Sequence, residues 1–195
     1  VLGDHAGGGP PTVPRYKPRL GGSLDLEKTT SKTRDKRQVF TLSILFATLY
    51  ASITVLLAPI SFSAIFQIRI SDALIPLSFN KRIGKAAIYG TALGAVVSNF
   101  LMSIYGLPDV VIGALANLLA SYTAYIFSGR KGIVSKVSAC LLSCLVVIIL
   151  VGVLLFHVVL GMPLESSLAS ITLGSVVSIV FVGVSILVAL ERVLG

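Results

Sequence analysis

The sequence predicts an all-α, polytopic integral membrane protein with six transmembrane helices, and three observations carry that prediction. Hydrophobic residues make up 55% of the chain and charged residues only 12%, about half the charge of an ordinary soluble domain. Uncharged runs recur at lengths near the roughly 20 residues that a helix needs to cross the hydrocarbon core. Between those runs the 16 Lys and Arg, against 8 Asp and Glu, fall in short clusters, as in the cytoplasmic loops of membrane proteins. The net charge of +8 is therefore assigned to the membrane surface. The lipid bilayer is an expected partner and nucleic acid is not.

Residues 1–37 are rich in Gly, Pro and charge, including AGGGPPTVP and TTSKTRDKR, and contain no apolar stretch. That composition predicts a disordered, basic cytoplasmic tail, leaving residues 38–195 as a six-helix membrane domain. Residues 39–58 form a first span, stopped by Pro59. Residues 59–80 carry two prolines and the pair Arg69 and Asp72, and read either as a short span with an irregular lead-in or as a re-entrant segment. Spans at 86–105 and 108–127 follow, separated by Gly106-Leu107-Pro108-Asp109, and the runs Ile133 to Leu160 and 166–190 make the fifth and sixth.

Loop charges set the topology. Basic clusters precede the first span (Lys28, Lys32, Arg34, Lys36, Arg37), follow the Asp72 segment (Lys81, Arg82, Lys85), follow the fourth span (Arg130, Lys131, Lys136) and end the chain at Arg192. If all are cytoplasmic, each interval between them contains an even number of crossings. Residues 38–80 must then cross twice, and both termini are cytoplasmic. Arg69, Asp72, Asp109 and Glu165 fall toward the outer side, with His157 near the outer end of the fifth span.

Arg69 and Asp72 are the only charged residues between Gln38 and Asn80. Intramembrane ionisable groups are costly, which makes the pair a candidate site. At i, i+3 on a helix the two would share one face. Asn99, Asn117 and Gln67 are amides within or beside apolar stretches, where each needs a partner. Gly90-Thr-Ala-Leu-Gly94 is a GxxxG that favours close helix packing within the chain, and Ala47-Thr-Leu-Tyr-Ala51 offers a similar small-residue face. Cys140 and Cys144, at i, i+4, read as packing residues and not as a metal site. No Walker-A, HExxH, GxSxG or CxxC pattern occurs, so no catalytic residue, metal or enzymatic activity is expected.

Phe66-Gln67-Ile68-Arg69-Ile70-Ser71-Asp72-Ala73-Leu74 together with Tyr105-Gly106-Leu107-Pro108-Asp109 resembles the QueT family, substrate-binding S components of energy-coupling factor (ECF) transporters linked to uptake of queuosine precursors. The likeness covers about residues 39–130, with hydropathy alone supporting it beyond. Where the family pattern tends to carry Glu after Arg-Ile-Ser, this chain has Asp72, a carboxylate with one methylene less reach. The resemblance implies six helices, an outward-facing pocket, an ECF transmembrane component as partner through Ala47 and Ala51, and two ATPase subunits that use ATP. The chain itself would then need no cofactor.

A queuosine precursor is a 7-deazaguanine, with N–H donors that suit a carboxylate and a carbonyl that suits Arg or an amide. The resemblance therefore implies that Asp72 or Asp109 accepts from the guanine-like edge. Arg69 donates to the carbonyl or orients Asp72, Asn99 and Asn117 complete the polar edge, and Phe66 or Tyr105 stacks on the ring. The competing reading is a proton-coupled secondary transporter of a small heterocyclic solute using His157, Glu165 or Asp109, although no internal repeat of the kind many such carriers show is visible. A membrane assembly protein built on the small-residue motifs is a third.

Overall fold

The computed structural model describes residues 21–61, 68–102 and 104–194, with side chains placed for 35–59, 68–102 and 104–193. The chain divides into two compact units, Val1–Asp35 and Lys36–Gly195. All regular structure among the described residues is helical. Helix α1 is Gly21–Leu56. From Ser23 to Ala58 no Gly or Pro interrupts a stretch in which Leu, Lys, Arg and Ala recur, all good helix formers. Helical structure thus begins inside the segment whose composition predicts disorder; residues 1–20 of that tail lie outside the described residues. A single turn, Ala58–Ser61, follows at Pro59.

The next segment departs from a full span. Helix α2, Ile70–Phe79, is a 3₁₀ helix of 10 residues with Pro76 inside it. At the 3₁₀ rise it is about 20 Å long, short of the roughly 30 Å hydrocarbon core. Ser71 through Phe79 are all buried. Helices α3 (Gly84–Met102) and α4 (Gly106–Ile126) follow. Then comes α5, Ile133–Val159, which is α-helical to Val147 and π-helical from Ile148. Helix α6 begins at Leu164, is π-helical over Val176–Gly183, and ends at Leu194.

Among the described residues, four stretches are long and apolar enough to cross a membrane: Asp35–Leu56, Gly106–Ile126, Ile133–Val159 and Leu164–Val193. Helix α3 has 19 residues, but Lys85, Ser98 and Asn99 lower its hydropathy. Two polar bridges tie the helices together: Thr91 Oγ1 to Ser121 Oγ at 2.9 Å between α3 and α4, and Ser143 Oγ to Ala120 O at 2.8 Å between α5 and α4.

Helix α2 runs between two apolar clusters. Its Ile75 packs with Ala116 and Ala120 of α4, Val151 and Leu155 of α5, and Ile171 and Ile179 of α6. Its Leu74, Leu77 and Phe79 pack with Phe46 and Tyr50 of α1, Ala86, Ala87 and Ala95 of α3, and Leu187 of α6. The GxxxG of α3 faces α1, as expected for packing within the chain. A Cβ on Gly94 would lie 2.6 Å from Tyr50 Cβ and 2.9 Å from Ala47 O, and one on Gly90 would lie 2.8 Å from Ser43 O. Gly183 lets α6 approach α2 in the same way, with a Cβ there 2.6 Å from Pro76 Cγ.

Gly94→Val forces α1 away from α3, and overpacking of this kind costs about 1–3 kcal/mol. Thermal unfolding of the detergent-solubilised protein should show a clear drop for this variant. A Tm equal to the parent's would contradict the packing described.

Candidate functional site

Arg69 and Asp72 do not pair through the i, i+3 geometry of a helix. Arg69 precedes α2 on extended backbone, with φ −86° and ψ 91°, so its side chain leaves in a different direction from those of the helix. Arg69 Nη2 donates to Asp109 Oδ1 at 3.3 Å. Asp72 instead accepts a hydrogen bond from the Tyr50 hydroxyl, 2.6 Å from its Oδ1. One turn along α1 from Tyr50, Thr54 Oγ1 donates to Ser71 Oγ at 2.7 Å. Two consecutive turns of α1 therefore hold the first turn of α2.

Asp109 lies in the first turn of α4, where a carboxylate complements the positive end of the helix dipole. Asn99 Nδ2 from α3 donates to the Asp109 carbonyl at 2.9 Å and approaches its Oδ1 at 3.3 Å. Asn99 Oδ1 is buried and has no hydrogen-bond partner among the described residues. Gly113 and Asn117 follow Asp109 at i+4 and i+8, which puts all three on one face of α4. A Cβ on Gly113 would lie 2.5 Å from Asn99 Nδ2 and 3.7 Å from both Arg69 Nη1 and Asp109 Oδ1. Asn117 Nδ2 donates to Thr91 O at 3.4 Å.

These elements enclose a cavity with a polar and an apolar wall. Arg69, Asp72, Gly113 and Asn117 form the first; Val147 and Val151 of α5 and Ile171 of α6 form most of the second, with Gly174 and Ser175 beside them. The switch of α5 from α to π winding falls between Val147 and Val151, and that of α6 directly after Ser175. π-helical turns are frequent at functional sites. Cys144 Sγ donates to Ser175 O at 3.4 Å, and both cysteines are buried free thiols. The free space is about 20 Å³, room for roughly one water. Ordinary ligand pockets measure about 300–1,000 Å³, so a bicyclic ligand enters only if the α5–α6 wall moves away from α4.

Of the residues singled out in the sequence, Arg69, Asp72 and Asn117 line the cavity, and Asp109 and Asn99 join them through Arg69 without lining it. Phe66 lies outside the described residues. Tyr105 sits at the start of α4, half-buried and edge-on to Phe156 with ring centroids 5.4 Å apart, and is not part of the cavity wall. Glu165 is exposed, as is His157, whose Nδ1 lies 2.9 Å from Met162 O, and neither lines the cavity. Ala51 is 8% exposed and Ala47 half-buried. The glycine face of α3 packs against α1 at the Ala47 backbone. Sequence reasoning missed Tyr50, Gly113 and the α5–α6 wall. The one legible signal among them was the i+4 spacing of Asp109, Gly113 and Asn117. No cluster of three potential metal ligands occurs among the described residues.

Long apolar helices packed around a closed cavity with buried ionisable groups make this a multi-pass membrane protein of the transporter class. The family model described as QueT transporter matches residues 40–192, and the chain belongs to that family. No curated protein and no solved structure matches it.

Tyr50→Phe removes the hydroxyl that donates to a buried carboxylate, a loss worth about 1–2 kcal/mol. The variant should unfold at a lower temperature than the parent in the same detergent. An unchanged Tm would mean that Asp72 does not depend on this bond.

Proposed function

We propose that this protein is the substrate-binding S component of an ECF-type importer that captures a queuosine precursor, a 7-deazaguanine, from the outer side of the cell membrane. In this reading the chain crosses the membrane six times with both termini cytoplasmic, α2 and its lead-in serving as the second crossing. The observation that carries it is the meeting of three separate segments at one cavity, lined by Arg69, Asp72 and Asn117, with Asp109 and Asn99 bonded in a chain behind Arg69. Membership of a transporter family supports a transport role for that cavity.

The chemistry of the walls suits a flat, polar-edged heterocycle. Asp72 accepts from the ring N–H groups, and Arg69, already turned toward Asp109, orients that carboxylate or donates to the ring carbonyl. The Asn99 carbonyl oxygen, buried without a partner among the described residues, is an acceptor for a ring or exocyclic N–H. Val147, Val151 and Ile171 offer apolar contact to the ring faces, in the stacking role that the sequence suggested for Phe66 or Tyr105. Energy comes from outside the chain: a transmembrane partner and two ATPase subunits drive release inward. A proton-coupled mechanism would draw on His157, Glu165 or Asp109; the first two are exposed and line no part of the cavity, which leaves Asp109 alone, bonded to Arg69, as its support.

Calorimetric titration with 7-deazaguanine tests the assignment. One charge-assisted hydrogen bond contributes about 1.5–3 kcal/mol, so Asp72→Ala and Asp109→Ala should each weaken binding by about tenfold or more. Parental affinity in both variants would sink the proposal. Coexpression with an ECF module should copurify the protein with its ATPases, whereas uptake by the chain alone in energised vesicles would point to a secondary transporter.

A further inference from the structure

At the opposite end of α4 from the cavity, two turns distant in sequence meet. The turn after α2, Asn80 to Ile83, and the turn after α4, Gly129 to Gly132, line a shared concavity of about 470 Å³. Five cations face it: Lys81, Arg82, Arg130, Lys131 and Lys136. Among the described residues the only carboxylate on its wall is Glu191, which pairs with Lys136.

The backbone is built to bring these charges together. Gly129 has a φ of +87°, and a Cβ there would lie 2.6 Å from Lys81 Nζ. The positive φ favours glycine at this position, and the flexible end of Lys81 lies over it. Arg130 is held by its guanidinium stacked over the Phe127 ring, 4.6 Å from the centroid, an ordinary cation–π distance. Like charges gathered in one concavity repel unless an anion is shared among them, and phosphate oxygens accept charge-assisted bonds from several Lys and Arg at once.

A second hollow of about 590 Å³ shares Lys81 and Arg82, adds Lys85, and is walled by Tyr122, Tyr125 and Ile126. Cationic groups beside an aromatic and aliphatic wall, at the end of membrane-length helices, match a molecule with a phosphate at one end and hydrocarbon next to it. Basic pockets between membrane helices are known to hold anionic headgroups. We infer that the Lys81, Arg82, Arg130 and Lys131 concavity binds the phosphate of an anionic membrane phospholipid. This site is separate from the cavity at the other end of α4 and independent of what that cavity takes.

Native mass spectrometry of the full chain in a neutral detergent, offered equal phosphatidylglycerol and phosphatidylcholine, tests this inference. The parent should retain phosphatidylglycerol at least about fivefold over phosphatidylcholine. Arg130→Gln combined with Lys131→Gln, and separately Lys81→Gln, should each lose most of that preference, while Lys32→Gln in the tail keeps it. Thermal unfolding in lipid-free detergent verifies that each variant is folded. Displacement by millimolar glycerol 3-phosphate would keep the phosphate site and make a soluble phosphate ester its source; resistance to displacement supports the lipid. Equal retention of the two lipids by the parent, or an undiminished preference in both pocket variants, overturns the inference.

Discussion

Two carboxylates buried in an apolar helical bundle must have donors, and meeting that requirement organises this protein. Asp72 takes its donor from Tyr50 of α1, and Asp109 takes its donors from Asn99 of α3 and Arg69 ahead of α2. An unpaired ionised group in such surroundings costs several kcal/mol. Each bond therefore fixes a helix as well as a charge. Tyr50 and Thr54 register α1 against the start of α2, and the Asn99–Asp109 bonds register α3 against the start of α4.

The short α2 helix makes this arrangement possible. Ten residues of 3₁₀ winding cover only about 20 Å, and Ser71 through Phe79 are buried along nearly all of that length. The N-terminal turn then presents Ser71 and Asp72 to the interior, and the apolar remainder fills the space between the two clusters. Glycines make the close approaches: Gly94 and Gly90 toward α1, Gly183 toward Pro76, and Gly113 toward Asn99. The first three serve packing. Gly113 leaves room where polar groups from three elements meet, which is a different use of the same property.

Much of the fold was legible because hydropathy and loop charge report directly on membrane helices. The runs at 39–58, 108–127, 133–160 and 166–190 correspond to the four helices that are long and apolar enough to span. The stretch 59–80 was ambiguous for a physical reason: two prolines and an ion pair fit both a kinked span and a short buried helix, and hydropathy does not register 3₁₀ winding. The polar site residues stood out since ionisable and amide groups in apolar runs are conspicuous. Their pairing was hidden, because i, i+3 logic holds only on a helix and Arg69 lies on extended backbone. Tyr50 escaped notice because a lone tyrosine inside an apolar run carries no charge to mark it; only tertiary placement shows it fully buried against Asp72.

The most direct measurement is an experimental structure of the protein determined with 7-deazaguanine. The account predicts the ring between α4 and the α5–α6 wall, its N–H edge on Asp72 and its carbonyl side near Arg69 or Asn117, with Val151 and Ile171 displaced to admit it. Ring density elsewhere, with Asp72 still bonded to Tyr50 around an unopened cavity, would contradict it.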